Sequence, residues 1–168
     1  DIDIVTITNK GASSADVIGV LKNSGNGNFV SEVTVGLAYN GNGLSLGDLD
    51  NDGDLDLIAT TFYQQYYSPS YPYPLIYTSI ASIRTYLNGG DGTFVFNTTL
   101  TNSDNHWIRN IYDLNNNGQN DFVTFPGNAS YPRYYSNTGN VFFDTPVTIT
   151  GNTTAAGQNG PIGDIDGD

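Results

Sequence analysis

Cysteine and methionine are absent from this 168-residue sequence, and only five of its residues are lysine or arginine. Without cysteine there is no disulfide framework, so composition leaves the redox compartment open. With a formal net charge of −12, the chain lacks the basic surface that nucleic acids and anionic membranes require, and neither is expected as a partner. No apolar run approaches the roughly 18 residues of a membrane-spanning helix, so membrane insertion is not expected.

The sequence also lacks the composition of a helical protein. Its polar residues are mainly Asn, Thr, Ser, Gly and Asp, whereas a helix-rich chain would carry more Ala, Leu, Glu and Lys. We therefore expect an all-β protein. The sequence starts in an apparent strand, Asp1-Ile2-Asp3-Ile4-Val5, with no signal peptide, so we expect a mature or excised chain.

The acidic residues are concentrated in a few places. Of the 17 acidic residues, 12 lie in residues 48–56, in residues 113–121, or at the two chain ends. Clusters of this kind indicate cation-binding loops more than an evenly solvated acidic surface.

An internal repeat contains these clusters. Residues 47–58 (GDLDNDGDLDLI) recur as residues 112–123 (YDLNNNGQNDFV), and a third copy begins at residues 163–168 (GDIDGD). The acidic loops start 65 and 51 residues apart. A Gly/Asn turn followed by an aromatic residue recurs in step, at residues 23–29, 88–94 and 137–142, and predicts a hairpin.

Each repeat unit is predicted to contain four strands. One strand enters the acidic loop, one leaves it (Leu55 to Phe62), a third follows (Ile83 to Leu87), and a fourth follows the turn (Phe94 to Leu100). The predicted fold is all-β, with about three tandem four-stranded antiparallel blades of β-propeller type that do not close on themselves. The predicted units are residues 1–47, 48–112 and 113–163, followed by a truncated loop at 164–168.

These motifs resemble the FG-GAP or VCBS repeats, which occur in the integrin α-chain propeller and in many secreted bacterial and fungal proteins. The resemblance rests on the Gly-Asp-x-Asp-x-Asp-Gly-x-x-Asp loop at 47–56 and the Asp-Gly-Thr-Phe turn at 91–94. It implies calcium as the bound ion and assigns a backbone carbonyl ligand to the seventh loop position, Asp54. The second loop departs from the pattern, because Tyr112 replaces the leading glycine and Asn115 and Asn117 replace acids.

The acidic loops themselves predict calcium sites. Carboxylates at positions one, three, five and nine, with a glycine for the bend, suit a hard cation that prefers oxygen ligands. An EF-hand is excluded because its position-twelve Glu is Ala59 here. The alternative is that Asp, Asn and Gly are simply turn formers, an alternative that is stronger for the Asn-rich second loop, where we expect weaker binding. The predicted ligands are Asp48, Asp50, Asp52, Asp54 and Asp56 in the first loop; Asp113, Asn115, Asn117, Gln119 and Asp121 in the second; and Asp164, Asp166, Asp168, Asp1 and Asp3 in a loop split between the chain ends.

The split loop suggests how copies are arranged. With one residue inserted between Asp168 and Asp1, the two ends match residues 47–58 position for position. One hypothesis is that the chain is one period of a longer array whose terminal loop is completed by a neighbouring copy. The alternative is a boundary that falls inside an ordinary series of repeats, since neighbouring repeats look alike.

Two further groups of residues are candidates for surface functions. An insertion at residues 63–77 is rich in Tyr and Pro and predicts a stiff aromatic loop that packs, self-associates or binds glycans. Three sequons, about the number expected by chance, are candidates for N-glycosylation. The tyrosines are Tyr63, Tyr66, Tyr67, Tyr71, Tyr73 and Tyr77, and the sequon residues are Asn97, Asn128 and Asn152.

No catalytic residue is predicted. Residues 43–47 (GLSLG) match the nucleophile-elbow pattern, but that motif needs a helix after it, and His106 would have to act as the base. The sequence therefore predicts a non-enzymatic, extracellular structural or adhesive scaffold within a longer array or fibre. Its expected partners are copies of itself or adjacent repeats, and glycans or extracellular proteins. The alternative is a lectin-like propeller that binds glycans through its aromatic loops.

Overall fold

The computed structural model describes residues 1–8, 16–37, 40–67, 76–102, 106–126 and 131–150. These residues form β-strands and turns, and they contain no helix. The strands are β1 (Ile4–Thr8), β2 (Val17–Asn23), β3 (Phe29–Gly36), β4 (Gly41–Gly47), β5 (Asp56–Tyr67), β6 (Ile76–Asn88), β7 (Phe94–Asn102), β8 (His106–Tyr112), β9 (Asp121–Pro126), β10 (Arg133–Tyr135) and β11 (Val147–Thr148).

The strands form three separate antiparallel sheets. Sheet 1 has the order β1-β2-β3, sheet 2 the order β4-β5-β6-β7, and sheet 3 the order β11-β10-β9-β8. Within each sheet, hydrogen-bonded strands are consecutive in the sequence, and none of the sheets closes into a barrel. The predicted all-β fold of antiparallel blades that do not close on themselves is confirmed.

Strand β5 is buried on both faces because sheet 2 lies between the other two sheets. Successive side chains of a strand point to opposite faces. Leu57 and Ala59 belong to a core cluster shared with sheet 1, whereas Ile58 belongs to a cluster shared with sheet 3. All three are fully buried, which explains why this stretch is an uninterrupted apolar run without alternation.

The two core clusters are therefore the contacts between adjacent sheets. The first joins sheets 1 and 2, and the second joins sheets 2 and 3. The buried members of the first are Ile18, Val20, Leu37, Leu57, Ala59, Tyr86 and Phe94. Those of the second are Leu49, Ile58, Ile83, Ile108, Phe122, Tyr135 and Val141.

The recurring Gly/Asn turn is formed by residues with positive φ. Gly90 and Gly92 have φ of 87° and 79°, values that glycine adopts without penalty. In the third turn Val141 takes the position of Gly92 and has a φ of 59°, which strains a β-branched residue by about 1–3 kcal/mol. Its side chain is 5% exposed in the second core cluster, so burial offsets that strain.

The tyrosine-rich insertion differs from the prediction of a loop over residues 63–77. Strands β5 and β6 extend into it, and the register pairs Tyr66 with Tyr77 and Tyr67 with Ile76. The backbone hydrogen bonds of a long hairpin thus continue past the expected strand ends at Phe62 and Ile83. Tyr71 and Tyr73 lie outside the described residues.

Sheets 2 and 3 are in close contact at Gly47, the last residue of β4. A Cβ atom at this position would lie 2.6 Å from Ile111 Cγ2 on β8. Only glycine therefore permits the two strands to lie at this separation, just before the first acidic loop.

Replacing Gly47 with alanine is expected to lower the free energy of unfolding by about 1–3 kcal/mol, because the added methyl group overpacks the contact with Ile111. Urea unfolding followed by Trp107 fluorescence measures the change, since Trp107 lies on the same strand as Ile111. Gly36→Ala is the matched control, because no atom lies within 4 Å of its added Cβ. Equal losses in the two variants would contradict the close approach of the sheets.

Candidate metal centre

The first acidic loop, residues 48–56, connects β4 to β5 and is folded around its own carboxylates. Asn51 N–H donates to Asp48 Oδ1 at 2.7 Å, and Gly53 N–H donates to Asp48 Oδ2 at 3.1 Å. Asn51 and Gly53 have φ of 64° and 95°, which turns the chain sharply enough for these bonds. Asp48 therefore lies inside the loop and does not extend into solvent.

Three of the predicted ligands come together. One carboxylate oxygen from each of Asp48, Asp50 and Asp56 lies within 4.8 Å of the others. Asp52 is exposed and is not in this group, although its Oδ1 accepts Asp54 N–H at 2.9 Å. The structure thus supplies a compact set of three carboxylates at loop positions one, three and nine.

Asp56 anchors the loop to the rest of sheet 2. Its side chain is fully buried, with Oδ2 accepting Leu49 N–H at 2.8 Å and Oδ1 accepting Asn88 N–H at 2.9 Å. Leu49 is in the loop, and Asn88 ends β6 at the start of the Gly/Asn turn. One carboxylate therefore fixes the acidic loop and the turn relative to each other.

Burial and mutual repulsion disfavour the charged forms of these acids. Burial raises the pKa of Asp56, and the charges of Asp50 and Asp52 raise it further, while the N–H groups of Asn88 and Leu49 oppose the shift. Burial also raises the pKa of Asp50, with added repulsion from Asp52 and Asp48. A cation at this position would relieve both effects, and three carboxylates form the ligand set that a hard divalent cation prefers.

The second loop, residues 113–121, has the same backbone turn, but its interior contains an asparagine amide where the first loop has a carboxylate. Asp113 accepts the N–H groups of Asn117 and Gly118 at 3.1 and 2.8 Å, much as Asp48 does in the first loop. Asn115 Nδ2, however, donates to Tyr134 Oη at 3.0 Å and to Ser136 Oγ at 2.9 Å. An amide and two hydroxyl groups thus hold the loop where the first loop has a third carboxylate.

Tyr134 completes this network. Its hydroxyl group donates to Asp121 Oδ2 at 2.8 Å, and Asp121 also accepts the N–H groups of Leu114 and Asn137. Burial raises the pKa of Tyr134, and its hydrogen bond to Asp121 acts in the same direction. Sequence reasoning missed Tyr134 and Ser136, because only the strand register shows that they lie beside the loop.

The start of the chain supplies a third instance of the anchoring carboxylate. Asp3 Oδ1 accepts Asn23 N–H at 2.8 Å, as Asp56 accepts Asn88 N–H and Asp121 accepts Asn137 N–H. Asp3 thus makes the same anchoring hydrogen bond as the two position-nine aspartates. Asp164, Asp166 and Asp168 lie outside the described residues.

Across the boundary between sheets 2 and 3, the first loop contacts both the second loop and the Gly/Asn turn that starts at Asn137. Asn137 Nδ2 donates to Leu49 O at 2.8 Å, and Asn120 Nδ2 donates to Asp48 O at 2.7 Å. Asn51 Nδ2 donates in the opposite direction, to Gly118 O at 2.6 Å. The Leu49 side chain is fully buried in the second core cluster, so the first loop is part of the contact between the sheets.

The remaining candidates lie elsewhere. Residues 43–47 lie on β4 and the acidic loop follows them directly, so within the described residues the nucleophile-elbow motif has no helix after it. His106 is buried, with Nδ1 2.8 Å from Thr124 Oγ1. Asn97 is exposed on β7, whereas Asn128 and Asn152 lie outside the described residues.

Comparison with known proteins supports the resemblance inferred from the motifs. Residues 1–59, which include sheet 1 and the first acidic loop, match the family model described as FG-GAP-like repeat. Such repeats indicate a β-propeller-type module, typically bind calcium, and are typical of extracellular, generally non-enzymatic proteins. A search of curated proteins gave no match. No helix long and apolar enough to cross a membrane occurs among the described residues.

Replacing Tyr134 with phenylalanine is expected to destabilise the protein by about 1–2 kcal/mol, because Asn115 and Asp121 both lose a hydrogen-bond partner. Thermal unfolding by calorimetry measures the loss. Tyr112→Phe is the matched control, since Tyr112 is about half exposed at the end of β8 and should change stability by less than about 0.5 kcal/mol. If Tyr134→Phe were equally neutral, the hydroxyl group would not be holding the second loop.

Proposed function

We propose that this chain is a calcium-binding segment of an extracellular, non-enzymatic scaffold, structural or adhesive, in which the ion holds neighbouring sheets together. The observation that carries the proposal is the group formed by Asp48, Asp50 and Asp56, whose oxygens lie within 4.8 Å of one another at the boundary between sheets 2 and 3. Calcium is the ion that the repeat family typically binds, and this all-oxygen set fits it.

The ligands already make the hydrogen bonds that orient them. Each oxygen of Asp56 accepts one backbone N–H, and Asp48 accepts two. A carboxylate oxygen has a further lone pair available after one such bond. The carboxylates are therefore preorganised for a cation that would supply the positive charge that offsets their repulsion.

The position of the site gives the ion a structural role. Asp56 begins β5, Asp48 follows β4, and Leu49 between them reaches into the core shared with sheet 3. Holding the loop closed therefore also holds Leu49 in that core. A cation at this position would stabilise the sheet contact as well as the loop.

An extracellular setting is consistent with a site of this kind. Calcium modules of the extracellular space work at dissociation constants of about 10⁻⁴–10⁻³ M, where the free ion is abundant. Three clustered carboxylates on one short loop, with Asp52 exposed beside them, suit that range better than the fully enclosed cages of tight cytosolic buffers. The expected partners remain copies of this chain or adjacent repeats.

Titration calorimetry of the calcium-free protein should detect calcium binding at the first loop with a dissociation constant of about 10⁻⁴–10⁻³ M. Asp50→Asn is expected to weaken binding at least about tenfold, because it removes one of three charges from the ion's surroundings. Asp144→Asn, which makes the same charge change at an exposed position outside the loops, is the control and should leave affinity within about twofold. Absence of binding, or equal weakening by both variants, would overturn the proposal.

The pH dependence of the calcium-free protein provides a second test. A carboxyl group whose pKa is raised on folding holds its proton more tightly in the folded state. Its contribution to stability is therefore present below the ordinary pKa and is lost as pH rises through the folded-state pKa. In calcium-free buffer Asp50→Asn is thus expected to raise the melting temperature at pH 7, with a smaller gain near pH 4.

Calcium should reverse the sign of this effect. At pH 7 and saturating calcium, Asp50→Asn is expected to melt below the wild-type chain, because the wild type gains more from binding the ion. Scanning calorimetry of both proteins, with and without calcium, measures the crossover. A variant that is less stable under all conditions would show that Asp50 has a purely structural role.

A further inference from the structure

A cleft lies between sheets 1 and 2. Its volume is about 700 Å³, and it is lined from sheet 1 by Asp3 and Val20 and from sheet 2 by Leu46, Asn88 and Phe94. The lining combines apolar side chains with a few polar groups.

The corresponding position between sheets 2 and 3 is occupied by Leu49. Its backbone O accepts Asn137 Nδ2 at 2.8 Å, and its side chain is fully buried in the cluster that contains Phe122, Tyr135 and Val141. A hydrophobic residue from the loop of one sheet thus fills a socket on the next sheet.

Sheet 2 presents the same kind of socket to the cleft. Asn88 corresponds to Asn137, because each donates its N–H to the position-nine aspartate of its own loop. Strand register likewise pairs Tyr86 with Leu57 as it pairs Tyr135 with Phe122. Asn88 Nδ2 donates to Leu55 O at 3.2 Å, just as Asn137 Nδ2 donates to Asn120 O at 3.2 Å. Asn137 Nδ2 also donates to Leu49 O of the neighbouring sheet, a bond for which Asn88 has no counterpart among the described residues.

Asp3 is the counterpart in sheet 1 of Asp56 and Asp121, and it lines the same cleft. In both complete loops the second oxygen of the position-nine aspartate accepts an N–H from the hydrophobic loop residue, at 2.8 Å from Leu49 and 3.0 Å from Leu114. Among the described residues, Asp3 has the bond from Asn23 but no counterpart of this second donor. A hydrophobic residue between two acids could thus donate its N–H to Asp3 and accept from Asn88.

Strand β1 is a third feature that fits a docked segment. Its counterparts β5 and β9, which also begin at or just after a position-nine aspartate, are hydrogen-bonded on both sides. Within the described part of the chain, β1 pairs with β2 alone and forms the edge of sheet 1. Edge strands are ready templates for another chain.

We propose that this cleft is the docking site for residues 163–168 of a second copy of the chain. This segment, GDIDGD, aligns with Gly47 to Asp52, so Ile165 takes the role of Leu49 and inserts into the socket beside Phe94 and Asn88. Asp164 and Asp166 then join Asp3 in the composition of the first loop's carboxylate group. The cation at this joint rests on the proposed function, whereas the hydrophobic docking does not.

A second copy is favoured over the chain's own end by the order of the sheets. Sheets 1, 2 and 3 stack in chain order, because β4 contacts β1 of sheet 1 and β8 contacts β4 and β5 of sheet 2. A segment that follows sheet 3 is expected to continue in that direction, away from sheet 1. Head-to-tail docking of this type produces closed rings if the rotation between copies closes, and filaments if it does not.

A synthetic peptide of residues 158–168, labelled with a fluorophore, tests the proposal directly. The receptor is the 168-residue chain carrying Ile165→Asp, which disables its own segment and leaves the cleft intact. Fluorescence polarisation in calcium is expected to show saturable binding that the Ile165→Asp form of the peptide lacks. Asn88→Ala and Asp3→Asn in the receptor are each expected to weaken binding about five- to tenfold, and Asn97→Ala, outside the cleft, to leave it unchanged.

Sedimentation distinguishes docking by the segment of a second copy from docking by the chain's own end. The wild-type chain is expected to form concentration-dependent oligomers, and the Ile165→Asp chain to remain monomeric. The wild-type chain could instead remain monomeric and fail to bind the peptide while the Ile165→Asp chain binds it. That result would show that the chain's own end occupies the cleft, and it would overturn docking by a second copy. No peptide binding to either chain would overturn the docking site.

Calcium titration of the Ile165→Asp chain distinguishes a failure of the docking proposal from a failure of the proposed calcium site. Its first loop is complete, so calcium binding there without peptide binding would refute only the docking. Peptide binding without calcium binding at the first loop would refute only the cation.

Discussion

The hydrogen bonds of a buried aspartate at the ninth loop position are the interaction on which the rest of the structure depends. Asp56 and Asp121 are both fully buried, and each accepts one N–H from its loop and one from the turn after the next two strands. A buried carboxylate is costly unless its oxygens are satisfied. The loop and the turn must therefore both fold correctly before either aspartate can be buried, which couples the two recurring motifs.

The buried position-nine aspartate occurs with two kinds of loop interior, one rich in carboxylates and one filled by neutral side chains. In the first loop, Asp48 and Asp50 lie beside Asp56, and a bound cation would relieve the repulsion between the three carboxylates. In the second loop, the Asn115 amide and the Tyr134 hydroxyl fill the interior with neutral hydrogen bonds. One repeat thus has the composition of a metal site, while the next obtains the same backbone from its own side chains.

Much of the fold could be predicted from the sequence because it depends on short-range patterns. The repeat, the acidic loops and the Gly/Asn turns each occupy fewer than about 15 consecutive residues, and they correctly indicated antiparallel sheets. The three-carboxylate group at positions one, three and nine also follows from spacing within one loop. These features needed no knowledge of which strands are neighbours.

The features that the sequence did not reveal depend on register and on stacking between sheets. Tyr134 reaches the second loop only because β10 pairs with β9 so that Tyr134 lies opposite Val123. Asn137 binds Leu49 O across 88 positions of sequence, a contact that no local pattern could indicate. The extension of β5 and β6 was missed because Tyr and Pro suggested a loop, whereas hairpin pairing continues wherever both backbones stay extended.

The burial of Leu49 links the candidate metal centre to the stacking of the sheets. Leu49 N–H binds Asp56 within sheet 2, while its backbone O and its side chain belong to the boundary with sheet 3. An ion present at ten times its dissociation constant contributes about 1.4 kcal/mol, which is modest beside the about 1.5–3 kcal/mol from burying a leucine side chain. Hydrophobic docking would therefore supply more of the energy of the joint, and a bound cation would act by holding the loop in the shape that presents Leu49.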